Sequence, residues 1–415
     1  MIIMYDFLLD EKAIEWKNRA REFAKKVPRD FIVKMDNEEI QYPREFVQMA
    51  AEHNLLGCRF PEKWGGGGAD WITETAVNEE IGILSTALSC LFVLPSICGE
   101  AINMFGTDEQ KEKYLKPTLQ GKKFTAEALT EPRGGSDFFG ATTTAVKEGD
   151  QYILNGEKRF VVGAEGADYY LVYAKTDTEA PPHKSISLFL VDKDFGVESK
   201  YLYGLMGTRG GGAGRLYFKD VQVPEENILW GEGRGGQIFY QMMIPERMTS
   251  ATGSMGLRPY IDLCANYAQK RKAFGKPIKA FQGVSFRIAD SLMLLDAMRG
   301  SCLITAKSLD ENDGKSSGLC RRLVSQTKRF CTESAEKIIN NCMQVLGGIG
   351  YTNVFPIEKM LRDFRLTTIW TGTSEIMNLI IQHEYYKELN EGKEKFRDIH
   401  KDAEESDAED EIVYE

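Results

Sequence analysis

The sequence predicts an α+β protein whose helices and strands are kept in separate blocks. Three observations carry this: apolar residues recur with a helical period up to about Lys123, switch to alternation at Phe124, and return to the helical period from Gly235. Helices, then strands, then helices is not the repeating strand–helix order of a doubly wound sheet. A chain of 415 residues, 42% hydrophobic and 27% charged, is long enough for two or three cores and has an ordinary globular composition. The expected divisions are an N-terminal helical domain 1–123, a middle β domain 124–234, a C-terminal helical domain 235–389 and an acidic tail 390–415.

In the first block Asp6 is expected to cap an amphipathic helix, and Pro43 to open another. The loop "PEKWGGGGAD", Pro61 to Asp70, separates this pair from a long apolar run. No Gly-Lys-Ser/Thr comes after its glycines, so it is not a phosphate-binding loop. The apolar run itself, Ile81 to Gly99, is uncharged and of membrane-spanning length. It is flanked by Glu79, Glu80 and Glu100, lacks Lys/Arg anchors and is interrupted by Ser, Thr and Pro95, so a buried helix is expected and no membrane span. In the middle block Thr142–Lys147, Gln151–Leu154, Arg159–Val162, Tyr169–Ala174, Ser185–Val191 and Arg215–Val223 read as short strands, with Asn155-Gly156 among the turn signals dividing them. In the last block Phe281, Val284, Ile288, Leu292 and Leu295 share one helical face. The tail is rich in Asp and Glu, poor in apolar residues, and expected to be solvated.

Charge and composition exclude several functions. A net charge of −10 disfavours nucleic acid and anionic membranes as partners. The 8 cysteines contain no C-x-x-C pair, which argues for reduced thiols in a cytoplasm and against a zinc site or disulfide framework. His53, His183, His383 and His400 lie far apart, leaving little basis for a Ser-His-Asp or His-metal site, and no metal is expected. The N-terminal "MIIMYDFLLDEK" is acidic where an export signal needs positive charge. "GEGRGG", Gly231 to Gly236, fits a dinucleotide-binding pattern by letter but follows "VPEENILW" without a βαβ unit, so it reads as a domain-joining loop.

The stretch Phe124 to Asp137, "FTAEALTEPRGGSD", begins as a strand and breaks at Glu131-Pro132 into a loop where two glycines free the backbone beside the hydroxyls of Thr130 and Ser136. It resembles the T-E-P-x-x-G-S-D signature of the FAD-dependent acyl-CoA dehydrogenases. "YAQKRKAFGKPIKAFQ", Tyr267 to Gln282, is similar to that family's R-x-x-F-G-x-P-I-x-x-x-Q element, and "QVLGGIGY", Gln344 to Tyr351, to its Q-x-x-G-G-x-G-Y block. The resemblance runs from about Asp6 to Leu389. It implies a barrel-like middle domain, a C-terminal four-helix bundle, FAD as cofactor and an acyl-CoA substrate. Electrons would pass to an electron-transfer flavoprotein or similar carrier. Leu129, Thr130, Gly135, Ser136, Phe160, Val161 and Val162 would hold the flavin. Arg271, Phe274, Gln282, Gln344, Gly347 and Gly348 would reach the FAD of a neighbouring subunit, making a homodimer or homotetramer the working unit. Phe160 to Val162, "FVV", stands where the family has W-I-T/S; Phe160 keeps an aromatic wall while Val162 lacks the hydroxyl.

Dehydrogenating a thioester takes a carboxylate for the α-proton. Most of the family carries it in Y-E-G-T, but here the string is "WTGTSE" with Thr371 in the glutamate's place. A neutral hydroxyl is a poor base, although the Thr371 backbone amide is retained and by resemblance bonds the thioester oxygen. Thr373 and Glu375 match FAD contacts. A second candidate is Glu246 in "MIPERMTSA", at the position used by the isovaleryl- and long-chain branches and by crotonobetainyl-CoA reductase. Without the resemblance, Glu246-Arg247 near a helix start would read as a solvated pair. Ser136, Ile244, Arg247 and Gly372 are the expected substrate contacts. The expected reaction is α,β-dehydrogenation to the 2-enoyl-CoA. Its rivals are an enoyl-CoA reductase on the same site and a non-catalytic CoA-binding or assembly homologue.

Overall fold

The computed structural model describes residues 6–201, 204–392, 397 and 399–402. Its N-terminal helices are Glu11–Lys26, Arg29–Asp36, Arg44–Glu52, Trp71–Ile81 and Thr86–Phe105. Asp10, not Asp6, caps the first, accepting from the Ala13 amide at 2.7 Å. Asp6 instead opens a short 3-10 turn and pairs with Lys17 at 3.2 Å, its carboxylate being one turn too early to reach the helix amides. Pro43 does open the third helix. The four glycines are tightly turned: a Cβ on Gly66 would lie 2.2 Å from the Phe60 carbonyl oxygen, and one on Gly67 2.3 Å from the Trp16 ring.

The apolar run from Ile81 is two elements rather than one helix. The helix Trp71–Ile81 ends there, and Ser85 caps the next by accepting from the Leu88 amide at 3.1 Å. Among the described residues one helix, Thr86–Phe105, is long and apolar enough to cross a membrane, but 78% of that window is buried inside the protein. It packs on the helix Gly235–Gly253. Arg59 anchors it, bonding Glu74 at 2.8 Å and Glu100 at 2.7 Å, while Gln241 also reaches Glu100 at 2.7 Å. At the end of these helices a Cβ on Gly82 would sit 2.1 Å from the Gly253 carbonyl oxygen, so backbone meets backbone.

Among the described residues the middle region has the strands β1 (Thr125–Ala128), β2 (Thr144–Glu148), β3 (Gln151–Val161), β4 (Tyr169–Lys175), β5 (Ile186–Asp192), β6 (Glu198–Tyr201), β7 (Gly214–Pro224) and β8 (Ile228–Leu229). They form one sheet in the order β6-β7-β3-β2-β4-β5-β8, with β1 parallel to β4. The two strands expected on either side of Asn155-Gly156 are one. Gly156 has φ 148 and touches Thr143, and β7 pairs with both halves across a register shift, so the dipeptide makes a bulge where a hairpin turn was expected. Alternation along β1 and β4 divides two cores. Ala126, Ala128, Tyr170, Val172 and Ala174 face the sheet's own interior, whereas Tyr169, Leu171 and Tyr173 face the N-terminal helices.

The C-terminal helices Gly235–Gly253, Arg258–Lys270, Gln282–Glu311, Gly318–Leu346, Ile357–Thr367 and Ser374–Glu391 enclose a third core that includes Ile244, Leu295 and Val324. Val284, Ile288 and Leu292 pack against it from the expected helical face. "GEGRGG" is the turn from β8 into the first of these helices, where a Cβ on Gly235 would meet the Ile186 carbonyl oxygen at 2.7 Å. Most of the tail, including 403–415, lies outside the described residues.

One buried ion pair fastens the sheet to the loop after β1. Lys158 on β3 donates to Glu131 at 2.9 Å and to the Leu129 carbonyl at 3.2 Å, with side-chain exposures of 0% for Lys158 and 2% for Glu131. Glu131 also accepts from the Thr142 hydroxyl at 2.7 Å and the Thr143 amide at 3.0 Å. Burial by itself would raise the Glu131 carboxyl; the Lys158 charge and these hydrogen bonds outweigh it and hold the carboxyl at about 2. Removing one partner leaves the other charged and dry. Glu131→Gln or Lys158→Met should therefore each cost about 3–5 kcal/mol in denaturant unfolding, and the double variant less than their sum. Additive losses would show that the pair is not coupled.

Candidate active site

A cavity of about 520 Å³ lies where the sheet, the helix Thr86–Phe105 and the helix Gly235–Gly253 meet. Its walls bring together Leu129, Thr130, Gly135, Ser136, Phe160, Val162, Glu246, Arg247, Thr371, Gly372 and Thr373, residues spread over most of the sequence. The loop after β1 supplies the first four, and a Cβ on Gly135 would press on the Thr130 hydroxyl at 3.0 Å, so the glycine permits this close turn. Phe160, the last residue but one of β3, has φ 57 and is half exposed, with the Arg159 guanidinium 4.7 Å from its ring centre. Val161 points the other way, into the sheet interior, so only its backbone is available to a ligand.

Glu246 is in the middle of its helix, directly after Pro245, and both it and Arg247 are withdrawn from solvent; they are not a solvated pair at a helix start. One Glu246 oxygen, Oε2, is buried with no hydrogen-bond partner. Burial raises this carboxyl to about 7, against the downward pull of Arg247 and of Lys328 from the helix Gly318–Leu346. Ile244 is buried in the C-terminal core and does not line the cavity; two residues along a helix turn a side chain about 200° away from Glu246.

Thr371 adopts φ 54, a left-handed conformation that a β-branched residue takes only when held. Two cations hold it. Arg247 Nε approaches the Thr371 carbonyl at 3.4 Å, and Lys328 donates to the Gly372 carbonyl at 2.8 Å. Gly372, at φ 95, leaves no room for a Cβ beside Met377. Thr373 caps the helix Ser374–Glu391 through the Ile376 amide at 3.3 Å. Ser250, one turn after Glu246, lies 3.4 Å from the Thr371 hydroxyl, which brings the Glu246 face of the helix against this turn. Arg247 thus shapes the turn from below in addition to lining the cavity.

The remaining candidates are elsewhere. Arg271, Phe274, Gln282, Gln344, Gly347, Gly348 and Glu375 are exposed and line no part of the cavity. Phe274, 94% exposed at φ 50, tops the two-stranded ladder Lys272–Ala273 with Lys276–Pro277, and no atom lies within 4 Å of a Cβ built on Gly347 or Gly348. Among the cavity residues absent from the sequence candidates are Trp370, whose indole Nε1 is buried without a partner, and Glu127 of β1. Glu127 was detectable as the acidic residue on the outward face of an alternating strand whose inward positions are both alanine. Among the described residues no group of His, Cys, Asp and Glu is arranged to hold a metal.

The donor set suits a flat heteroaromatic group: an aromatic wall, hydroxyls of Thr130 and Ser136 beside a glycine-thinned loop, and an unpaired indole N–H. Family comparisons agree with that reading. The acyl-CoA dehydrogenase N-terminal, middle and C-terminal domain families match residues 10–122, 126–221 and 233–386. A 3-(aryl)acrylate reductase of Clostridium sporogenes is 34% identical over 87% of this chain and 95% of its own. The caffeyl-CoA reductase-Etf complex subunit CarC of Acetobacterium woodii is 35% identical over the same shares, 87% and 95%. The solved butyryl-CoA dehydrogenase of Megasphaera elsdenii superposes with a TM-score of 0.86 at 29% identity, covering 91% of this chain and 99% of that one. With all three domains matched in order around a cavity that fits the cofactor, the chain belongs to the acyl-CoA dehydrogenase family of enzymes, which use FAD and act on the CH–CH bond of acyl-CoA thioesters.

Proposed function

We propose that the enzyme catalyses α,β-dehydrogenation of an acyl-CoA to the 2-enoyl-CoA with Glu246 as its base. The observation that carries this is the meeting of Glu246 and the Thr371 turn in one cavity, linked by Ser250. The Glu246 carboxylate takes the α-proton, and the electrons of that C–H bond move toward the thioester carbonyl. The Thr371 amide, set by Arg247 and Lys328, stabilises the charge growing on the carbonyl oxygen. Bound FAD would supply the acceptor for the hydride that leaves the β-carbon as the double bond forms. Leu129, Thr130, Gly135, Ser136, Phe160, Val161, Val162, Thr373 and Glu375 are the residues proposed to hold it, with Ser136 and Gly372 also beside the substrate.

Arg271, Phe274, Gln282, Gln344, Gly347 and Gly348 are proposed to complete the FAD site of a second copy. Their exposure and the open space around both glycines support this, as does the fit of a planar guanidinium to a pyrophosphate. A homodimer or homotetramer is part of the same reading. Electron-transfer flavoprotein is the proposed carrier, supported by the relative named as a subunit of a complex with Etf. The sequence expectation of a cytoplasmic setting belongs to this proposal too.

A second reading, reduction of an enoyl-CoA, is favoured by the names of two relatives, both reductases. It uses the same groups in reverse, with protonated Glu246 delivering a proton to the α-carbon.

Replacing Glu246 by Gln keeps its shape and removes its basicity, so reduction of the flavin by substrate should fall by ~10²–10⁴. Adding Thr371→Glu should restore part of the rate. Stopped-flow measurement of flavin bleaching tests both, and near-normal bleaching by Glu246→Gln would exclude it as the base.

The groups facing Glu246 are Arg247, Lys328, Glu127, Cys90, Cys98 and Tyr173, and with its carboxyl at about 7 the two directions differ in pH dependence. Dehydrogenation needs the ionised form, so its rate should rise with pH through about 7; enoyl reduction needs the acid and should fall. Lys328→Met, removing a charge that favours the carboxylate, should move both midpoints upward. Unmoved midpoints would mean that another group titrates.

For the shared site, Arg271→Ala should lower both FAD retention after gel filtration and the melting temperature. Full flavin content at an unchanged melting temperature would remove Arg271 from the site.

A further inference from the structure

We infer that Glu127 is a specificity-determining residue, which fits the cavity to a thioester whose acyl group carries a hydroxyl beyond the β-carbon. This rests on the acyl-CoA reading proposed above.

The geometry comes from β1. Ala126 and Ala128 face the sheet interior, so Glu127 between them is turned to the opposite side, into the cavity, where Val93, Leu94, Ile97, Phe239 and Met243 are its apolar company. Cys98 of the helix Thr86–Phe105 and Tyr173 of β4 are close enough to couple with it electrostatically. Its Oε1 is buried without a hydrogen-bond partner. The nearby cation Lys158 is committed to Glu131 and to the Leu129 carbonyl. A cavity made for a plain alkyl chain would have an apolar side chain here, because a buried carboxyl oxygen with nothing to bond is costly.

The ionisation of the cavity decides what that oxygen awaits. Two carboxylates in one dry cavity do not both carry charge, and the base must. Arg247 and Lys328 face Glu246, whereas the lysine near Glu127 is tied to Glu131; burial first and the charge of Glu246 second raise the Glu127 carboxyl against the pull of Lys158, so Glu127 is the neutral member. A neutral carboxyl both donates and accepts, and a hydroxyl answers it in both senses. An anionic acyl terminus would face Glu246. A cationic one would enter a cavity lined by Arg159 and Arg247, with the charges of Lys158 and Lys328 acting on its two carboxyls.

The test uses FAD-loaded enzyme and matched CoA thioesters: butyryl and 4-hydroxybutyryl, hexanoyl and 6-hydroxyhexanoyl, 3-phenylpropionyl and 3-(4-hydroxyphenyl)propionyl, with 4-aminobutyryl and 6-aminohexanoyl as a cationic arm. Dissociation constants come from anaerobic titration calorimetry and from the perturbed flavin spectrum. In the wild type at least one hydroxylated ester should bind about tenfold more tightly than its parent. Glu127→Leu should abolish or invert that ratio, and Glu127→Gln should keep most of it. No hydroxyl preference at any length, an unchanged ratio in Glu127→Leu, or tighter binding of the aminoacyl esters would each overturn the inference. Should Glu127→Leu fail to fold, the wild-type ratios and Glu127→Gln decide alone. Absence of binding by every thioester would instead bring down the acyl-CoA reading, and the inference with it.

Discussion

The buried pair of Glu131 and Lys158 is the contact on which the site's geometry depends. Glu131 belongs to the loop after β1 and Lys158 to β3, two residues before Phe160. One ion pair therefore fixes both the hydroxyl-bearing loop and the aromatic residue across from it. The distances are good and the carboxylate's other oxygen is also bonded, which is the condition under which burying two charges is tolerated. The Leu129 carbonyl, bonded by the same lysine, ties the end of β1 to this point as well. Rigidity at this junction is what a flat cofactor requires, since a loop with two adjacent glycines has little stiffness of its own.

Across the cavity the positive charges are arranged to a different end. Arg247 and Lys328 grip successive carbonyls of the Thr371–Gly372 turn, and the same two charges draw down the Glu246 carboxyl. Glu246 and the turn are thereby electrostatically joined. Burial also presses the cations downward, Lys328 to about 8 and Arg247 to about 10, so this is a costly cluster kept in place by the contacts it makes.

Much of this was legible in the sequence because its signals are local. Change of period marked the order of helices and strands, and Thr130, Gly135, Ser136, Phe160 and Glu246 all line one cavity. What failed did so where a local signal has two meanings. Asn155-Gly156 serves a hairpin or a bulge equally, and only the partner strand β7 decides. Asp6 and Asp10 both suit a cap, and the turn between them selects the second. The side chains of Ile244 and Val161, expected at the site by family resemblance, are turned into the cores by helical and strand periods, and Val161 keeps only its backbone for a ligand. Glu127 lay in full view inside the most informative stretch. A carboxyl in a short strand reads as solvent-facing until the helix that covers that face is known.

The contact between Gly82 and Gly253 bears on how such a site changes over generations. Gly253 lines the cavity, and its carbonyl meets the backbone of Gly82 with no side chain between them. The distance between those two helical segments is consequently set by main-chain atoms, which substitution leaves the same size. Lineages drifting toward bulkier acyl groups cannot spread the walls at that end. They can only trim side chains already projecting inward, such as Met243 or Phe239, and each trim is a discrete step in the volume admitted.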